Sequence, residues 1–329
     1  MNRKAHCRCP IQRCGISRPP VINLNLNMLI PRHLRGILVL LLVTCVWGTT
    51  FPAMKDLSAD ISAVWIALLR FSLAGLLLAP FLLRAKRVDL LGGVLLGATL
   101  FVSFMLQTEG LALTSSNRNA FITGLNVLVV PLLGVLAGKL PPRHIVLAIT
   151  LALTGLTALC WDGGAWSYGD TLALGGAVCY GIYVKQMEMA TRKASHLMAL
   201  TAMQIITVGI CAALWLLLWE MPRHPVDWIQ LQQALRQHYP NLLYLGIVAT
   251  AIIISLQVWG QRHTSANEAA VTYAFEPACA AIAAYFWIGE TMGWRGVAGG
   301  VLLIAGIIVS QWKSSDAAVK IPGAVPATS

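Results

Sequence analysis

Charge is what this 329-residue chain lacks: only 11% of its residues are Asp, Glu, Lys or Arg, where an ordinary soluble protein carries about 25%. Acidic residues are scarcest, 13 against 24 Lys and Arg. The shortage excludes a cytosolic enzyme of the usual surface chemistry. Catalytic signatures are missing too. There is no Walker loop, no H-E-x-x-H or H-x3-H pair and no nucleophile elbow. ATP is therefore not expected to be used within this chain, and neither a metal nor a cofactor is expected. The eight cysteines include no paired C-x2-C unit. Cys45, Cys160, Cys179, Cys211 and Cys279 fall in apolar segments, as small packing residues. Cys7, Cys9 and Cys14, beside His6, give only a weak metal signal.

Hydrocarbon is abundant: 57% of residues are hydrophobic and mean hydropathy is +0.70. The net charge of +11 could suit nucleic acid, but the basic residues stand between long apolar runs. That distribution suits lipid, not nucleic acid, as the partner. A spanning helix needs ~20 mostly apolar residues. Ten stretches qualify: 34–54, 62–83, 90–111, 117–137, 144–161, 170–187, 196–219, 241–262, 268–288 and 294–312. Backbone in lipid must satisfy its own hydrogen bonds, and these runs are too long and uniform for barrel strands. The predicted fold is an all-α integral membrane protein of ten transmembrane helices. Within 220–240, Trp228, Leu231 and Leu235 recur at i, i+3 and i+7 and predict a short interfacial helix. No small-x-small site follows 32–53, which argues against a cleaved signal peptide.

One stretch recurs. Leu106-Gln107-Thr108-Glu109-Gly110 through Asn117 and Leu256-Gln257-Val258-Trp259-Gly260 through Asn267 both read L-Q-x-x-G-x-x-x-T-S-x-N, 150 positions apart. Six identities in twelve positions, in matching hydropathy context, indicate an internal duplication. Five helices per half is an odd number, so the second half enters the membrane inverted. Inverted repeats are a recurring transporter architecture, with the substrate site where the halves meet. The boundaries read as a disordered basic tail at 1–33, of which 1–27 are dispensable, five-helix repeats at 34–161 and 162–312, and a cytoplasmic tail at 313–329. With the N-terminus in the cytoplasm, 18 Lys and Arg lie inside and four outside, namely Lys55, Arg223, Arg236 and Arg295. Both termini are thus expected in the cytoplasm, and the inner (plasma) membrane of a bacterium is the expected location.

Several residues carry a further resemblance. Trp47-Gly48-Thr49-Thr50-Phe51-Pro52, Leu69-Arg70-Phe71, Thr114-Ser115, Glu276-Pro277 and Gly289-Glu290, in this order, resemble EamA-type members of the drug/metabolite transporter superfamily. The resemblance covers about 34–312. It implies ten helices, inverted repeats, a central cavity and export of amino acids or other small metabolites. One departure stands out: Gly138-Lys139 replaces the Gly-Glu that the second half keeps.

Trp47 and Tyr180 are matched aromatics beside glycine, and either wall a cavity, face lipid or pack in the core. Asn126 and Glu276 are 150 apart, each about nine residues into its helix. A carboxylate at that depth costs at least ~2.5 kcal/mol unpaired, so Glu276 is expected to face a cavity or a partner, binding a substrate amine, carrying a coupling proton or bracing neighbouring helices. Tyr273 and Phe121 are further cavity-lining candidates. Arg70 and Glu109 are expected to form an ion pair, with capture of a substrate carboxylate by Arg70 as the alternative. Gln107 and Gln257 are expected near opposite membrane faces, as gates or helix bridges; the bridging reading is slightly favoured. Gly93-x3-Gly97, Gly134-x3-Gly138 and Gly296-x3-Gly300 predict close helix packing, and a homodimer interface is a weaker reading of the same faces. The leading expectation is a secondary exporter of small metabolites. A multidrug or toxic-cation efflux pump is the alternative. An intramembrane lipid-modifying enzyme ranks lower, because no His, Asp or Cys side chains converge at one depth.

Overall fold

The computed structural model describes residues 31–114, 116–138, 140–160, 165–223, 226–288 and 293–311. The cysteine-containing tail, Lys139, Gly289-Glu290 and the 313–329 tail lie outside the described residues. Among the described residues no strand occurs, and the chain is helical nearly throughout. The helices are α1 (Arg32–Leu57), α2 (Ala63–Leu78), α3 (Arg87–Leu113), α4 (Ser116–Gly124), α5 (Asn126–Leu136), α6 (Arg143–Cys160), α7 (Tyr168–Lys193), α8 (Leu197–Trp215), α9 (Met221–Arg223), α10 (Trp228–Leu243), α11 (Ile253–Arg262), α12 (Ala266–Tyr273), α13 (Glu276–Ile288) and α14 (Trp294–Gln311).

Among the described residues, six helical stretches are long and apolar enough to cross a membrane: Arg32–Leu57, Ala63–Arg84, Arg87–Leu113, Arg118–Leu136, Leu197–Arg223 and Trp228–Arg262. The other four expected spans are also helical, but fall short for identifiable reasons. Arg143–Ala158 and Trp294–Ser310 are apolar but shorter. α7 carries Asp170, Lys185 and Glu188. The 268–288 span is split between α12 and α13. The short interfacial helix expected within 220–240 is not separate. α10 runs on through a π-helical stretch, Tyr244–Ile252, into α11, making one helix of 35 residues. Nothing stops it: Pro240 is accommodated inside α10. The buried His238 anchors its first part, hydrogen-bonded to Asp60 (2.9 Å) in the turn between α1 and α2.

Glycine sets the closest helix approaches. A Cβ added at Gly110 on α3 would lie 2.8 Å from the carbonyl oxygen of Gly169 on α7, and one at Gly260 on α11 would lie 3.2 Å from that of Gly36 on α1. The glycine of the repeated motif therefore does one job twice, bringing two backbones together. A second matched pair joins α6 to α14, where a Cβ at Gly155 would meet the Gly299 oxygen at 2.7 Å and one at Gly306 the Ala148 oxygen at 2.9 Å. Gly93 and Gly97 press α3 onto Met203, Gln204 and Thr207 of α8. The other two small-residue pairs behave differently. Gly138 lies beyond the end of α5 at φ 74°, in the left-handed region that favours glycine, with open space around it. Gly300 also faces open space; its neighbour Gly299 makes the contact.

Capping fixes where α7 and α12 begin. Ser167 and Asp170 form a capping box at α7, and Ser265 and Glu268 one at α12. The Ser of the repeated motif's second copy is thus an N-cap.

Candidate functional site

The fourth apolar segment and the ninth are interrupted at matching points. α4 stops at Gly124 and α5 begins at Asn126; α12 stops at Tyr273 and α13 begins at Glu276. Each junction is a tightened turn, with Leu125 N–H donating to Ile122 O and Phe275 N–H to Thr272 O, both at 3.1 Å. Pro277 contributes to the second break, since it has no N–H to offer the Tyr273 carbonyl. No proline stands at the equivalent point of the first. Asn126 and Glu276 are each the first residue beyond a break.

Two adjoining cavities occupy this region. Arg70, Met54, Phe71 and Phe104 are in the lining of the first. Asn126, Thr123, Tyr273 and Glu276 are in the lining of the second. Trp47, Gln107, Tyr180 and Gln257 line both, so the two spaces meet at a waist of aromatic rings and amides.

Hydrogen bonds hold that waist in place. Trp47 Nε1 donates to Ala249 O (3.3 Å). Tyr180 OH donates to Gln107 Oε1 (3.3 Å), whose Nε2 donates to Thr123 Oγ1 (3.3 Å). Tyr183, fully buried, reaches both Gln204 Oε1 (3.1 Å) and Gln257 Oε1 (3.2 Å). Tyr273 OH donates to Gln261 Oε1 (3.3 Å), and its ring centroid lies 5.7 Å from that of Trp47.

Arg70 is buried, yet no carboxylate among the described residues pairs with it. Its Nε donates to Thr250 Oγ1 and an Nη to Ala249 O at 3.3 Å. The other Nη approaches Met54 Sδ at 3.6 Å. The guanidinium carbon lies 5.5 Å and 5.4 Å from the ring centroids of Phe71 and Phe104, within cation–π range. The π-helical stretch supplies Ala249 and Thr250, so this irregular segment anchors both Arg70 and Trp47. Glu276 is half-buried and lines the second cavity. No described residue gives it a hydrogen bond or ion pair. Asn126 is buried, and its Oδ1 has no hydrogen-bond partner among the described residues.

The structure thus brings together Trp47, Asn126, Tyr180, Tyr273 and Glu276, with Arg70 across the waist. It revises three expectations. Arg70 and Glu109 do not form an ion pair: Glu109 is exposed, whereas Arg70 points inward to α1 and the π stretch. Similar depth did not imply a shared face. Gln107 and Gln257, expected near opposite faces, converge on one waist, where both line the two cavities. Phe121 is buried in the hydrophobic core, and the two cavities are lined without it. Tyr183, Thr250 and Tyr244, whose OH meets Thr49 Oγ1, were not read from the sequence. Their signal was present only as polar tips in apolar runs.

Two contacts lie where helices begin: Arg118 pairs with Asp170 at 2.9 Å, and His33 Nε2 is hydrogen-bonded to Glu268 Oε2 at 3.1 Å. Arg118 and Glu268 are 150 positions apart and opposite in sign.

Comparison with known proteins gives a consistent result. The EamA-like transporter family model matches twice, at 34–161 and 167–312. An uncharacterized transporter of Archaeoglobus fulgidus is 27% identical over 246 residues, covering 74% of this chain and 75% of that one. Another from the same organism is 25% identical over 283 residues, covering 84% and 96%. A solved crystal structure superposes with a TM-score of 0.67 at 17% identity, over 86% of this chain and 98% of that one. That likeness is one of fold.

Proposed function

Because the chain belongs to the EamA-like transporter family, within the drug/metabolite transporter superfamily, we propose that it exports small metabolites, amino acids among them, by alternating access through the waisted cavity. The observation that carries this reading is a buried Arg70 and a half-buried Glu276 lining the two sides of the waist, with no ion pair to either among the described residues. Charge sequestered from water without a partner is costly, so it is retained where a ligand completes it. A substrate carrying both a carboxylate and an amine satisfies both ends.

The ten-span inverted repeat, with halves at 34–161 and 162–312, is part of this reading. Helix pairings support it, because they exchange under the proposed symmetry. α3 packs on α7 as α11 packs on α1; α3 packs on α8 as the π stretch packs on α2; α5 packs on α7 as α13 packs on α1. α2–α8 and α6–α14 are their own mates. The 18-to-4 bias of Lys and Arg supports cytoplasmic termini in an inner membrane. Reporter fusions at 165 and 230 are expected to read outside, and fusions at 140 and 193 inside. The opposite pattern overturns the orientation.

The direct test is efflux from proteoliposomes across a panel of amino acids, amines and carboxylates. Movement of a zwitterion, lost in Arg70→Met, supports the reading. Movement of lipophilic monocations alone, unaffected by that change, favours a toxic-cation pump, a reading to which the aromatic waist also lends support.

A further inference from the structure

We propose that the second cavity is a subsite for a primary ammonium group, held by Asn126 Oδ1 and the Glu276 carboxyl group and walled by Trp47, Tyr180 and Tyr273. The proposal rests on the transport reading above and specifies the chemistry that one end of the cavity recognises.

Three observations converge on it. First, Asn126 offers an acceptor that nothing among the described residues uses. A buried acceptor left unmatched costs about 1–3 kcal/mol, and an N–H donor entering the cavity relieves that cost. Second, Glu276 lines the same cavity with no hydrogen bond or ion pair among the described residues and supplies a second acceptor group. Two different interrupted helices deliver these groups, each at the first residue past its break. Third, the other lining oxygens with described bonds are already taken. Gln107 Oε1 accepts from Tyr180, Thr123 Oγ1 from Gln107, and Gln257 Oε1 from Tyr183. Aromatic walls favour an organic cation. The donors of Trp47, Tyr180 and Tyr273 are spent on Ala249, Gln107 and Gln261, so those rings serve as fixed walls.

The geometry also sets a preference. A quaternary ammonium can use the aromatic walls and the Glu276 carboxyl group but has no N–H for Asn126. A primary ammonium uses all three. One hydrogen bond to a charged group corresponds to about tenfold in affinity.

The test uses the full chain in lipid nanodiscs and two matched probes, 2-phenylethylammonium and its N,N,N-trimethyl counterpart, by calorimetry. Wild type is expected to prefer the primary amine by about tenfold. Asn126→Leu, which keeps the side-chain volume, should bring the two affinities within about twofold by weakening only the primary amine. Asn126→Asp retains the acceptor and should retain the preference. Glu276→Gln should weaken both probes. Equal wild-type affinities, or binding of neither probe, overturn the proposal. So does Asn126→Leu weakening both probes alike, as a purely structural residue would, or sodium chloride alone displacing the primary amine through Asn126. If a variant does not fold, the wild-type preference still decides. Efflux of amino acids without any ammonium preference would sink the subsite and leave the transport reading standing; the preference without transport would do the reverse.

Discussion

The two helix breaks are alike in backbone and unlike in chemistry. Each is a single tightened turn, and each presents its next residue to the same cavity. Yet one presents an amide, Asn126, and the other an ionisable carboxyl, Glu276. A residue needed only to brace the turn could be the same amide twice. The difference indicates that the duplicated frame supplies position and that the two copies divided the chemistry between them. The contacts at the helix starts repeat the lesson, with Arg118 in one half where Glu268 stands in the other.

The largest expected effect comes from making the breaks alike. Glu276→Gln should reduce pH-gradient-driven accumulation to background in well-folded protein, and should weaken exchange at equal pH as well, through its lost hold on the ammonium group. Wild-type gradient-driven transport in that variant would falsify a coupling role for Glu276. Next come the matched glycines, where the halves are expected to behave identically. Gly110→Val and Gly260→Val each force a Cβ onto a neighbouring backbone, a change of the overpacking type that costs about 1–3 kcal/mol or more. Comparable drops in thermal stability are expected, and a large drop in only one would break the equivalence. A smaller effect is expected at Tyr183→Phe, which strips the waist of a hydroxyl shared by Gln204 and Gln257. A loss of about 1 kcal/mol is expected on unfolding, with substrate selectivity kept. The smallest belongs to Glu109→Gln. Its exposure predicts a change within about 0.5 kcal/mol and unaltered efflux. A strong defect there would reinstate the ion pair with Arg70.

Much of the frame was legible because hydropathy and glycine spacing report directly on burial and close approach. The repeated L-Q-x-x-G read as a duplication, and its Gly and Gln occupy matched contacts. The breaks were harder. Leu125, Ala274 and Phe275 are ordinary helix residues, and only Pro277 hinted at an interruption. The Arg70–Glu109 pair failed for a different reason. Counting residues from a helix end gives depth but not the direction in which a side chain points. The waist was half legible: Trp47, Tyr180, Gln107 and Gln257 stood out as polar or aromatic groups in apolar runs. The π stretch left no mark, since Tyr244–Ile252 reads like any other buried segment.

The grip on Arg70 has one more implication. A hydroxyl, a backbone carbonyl, a thioether and two phenyl rings hold it. None of these gains or loses a proton in the range where cells live. The direct contacts that hold the cationic end of the cavity therefore do not themselves titrate. A pH profile of transport would then read out groups other than this anchor, and the two ends of one cavity could answer to different signals.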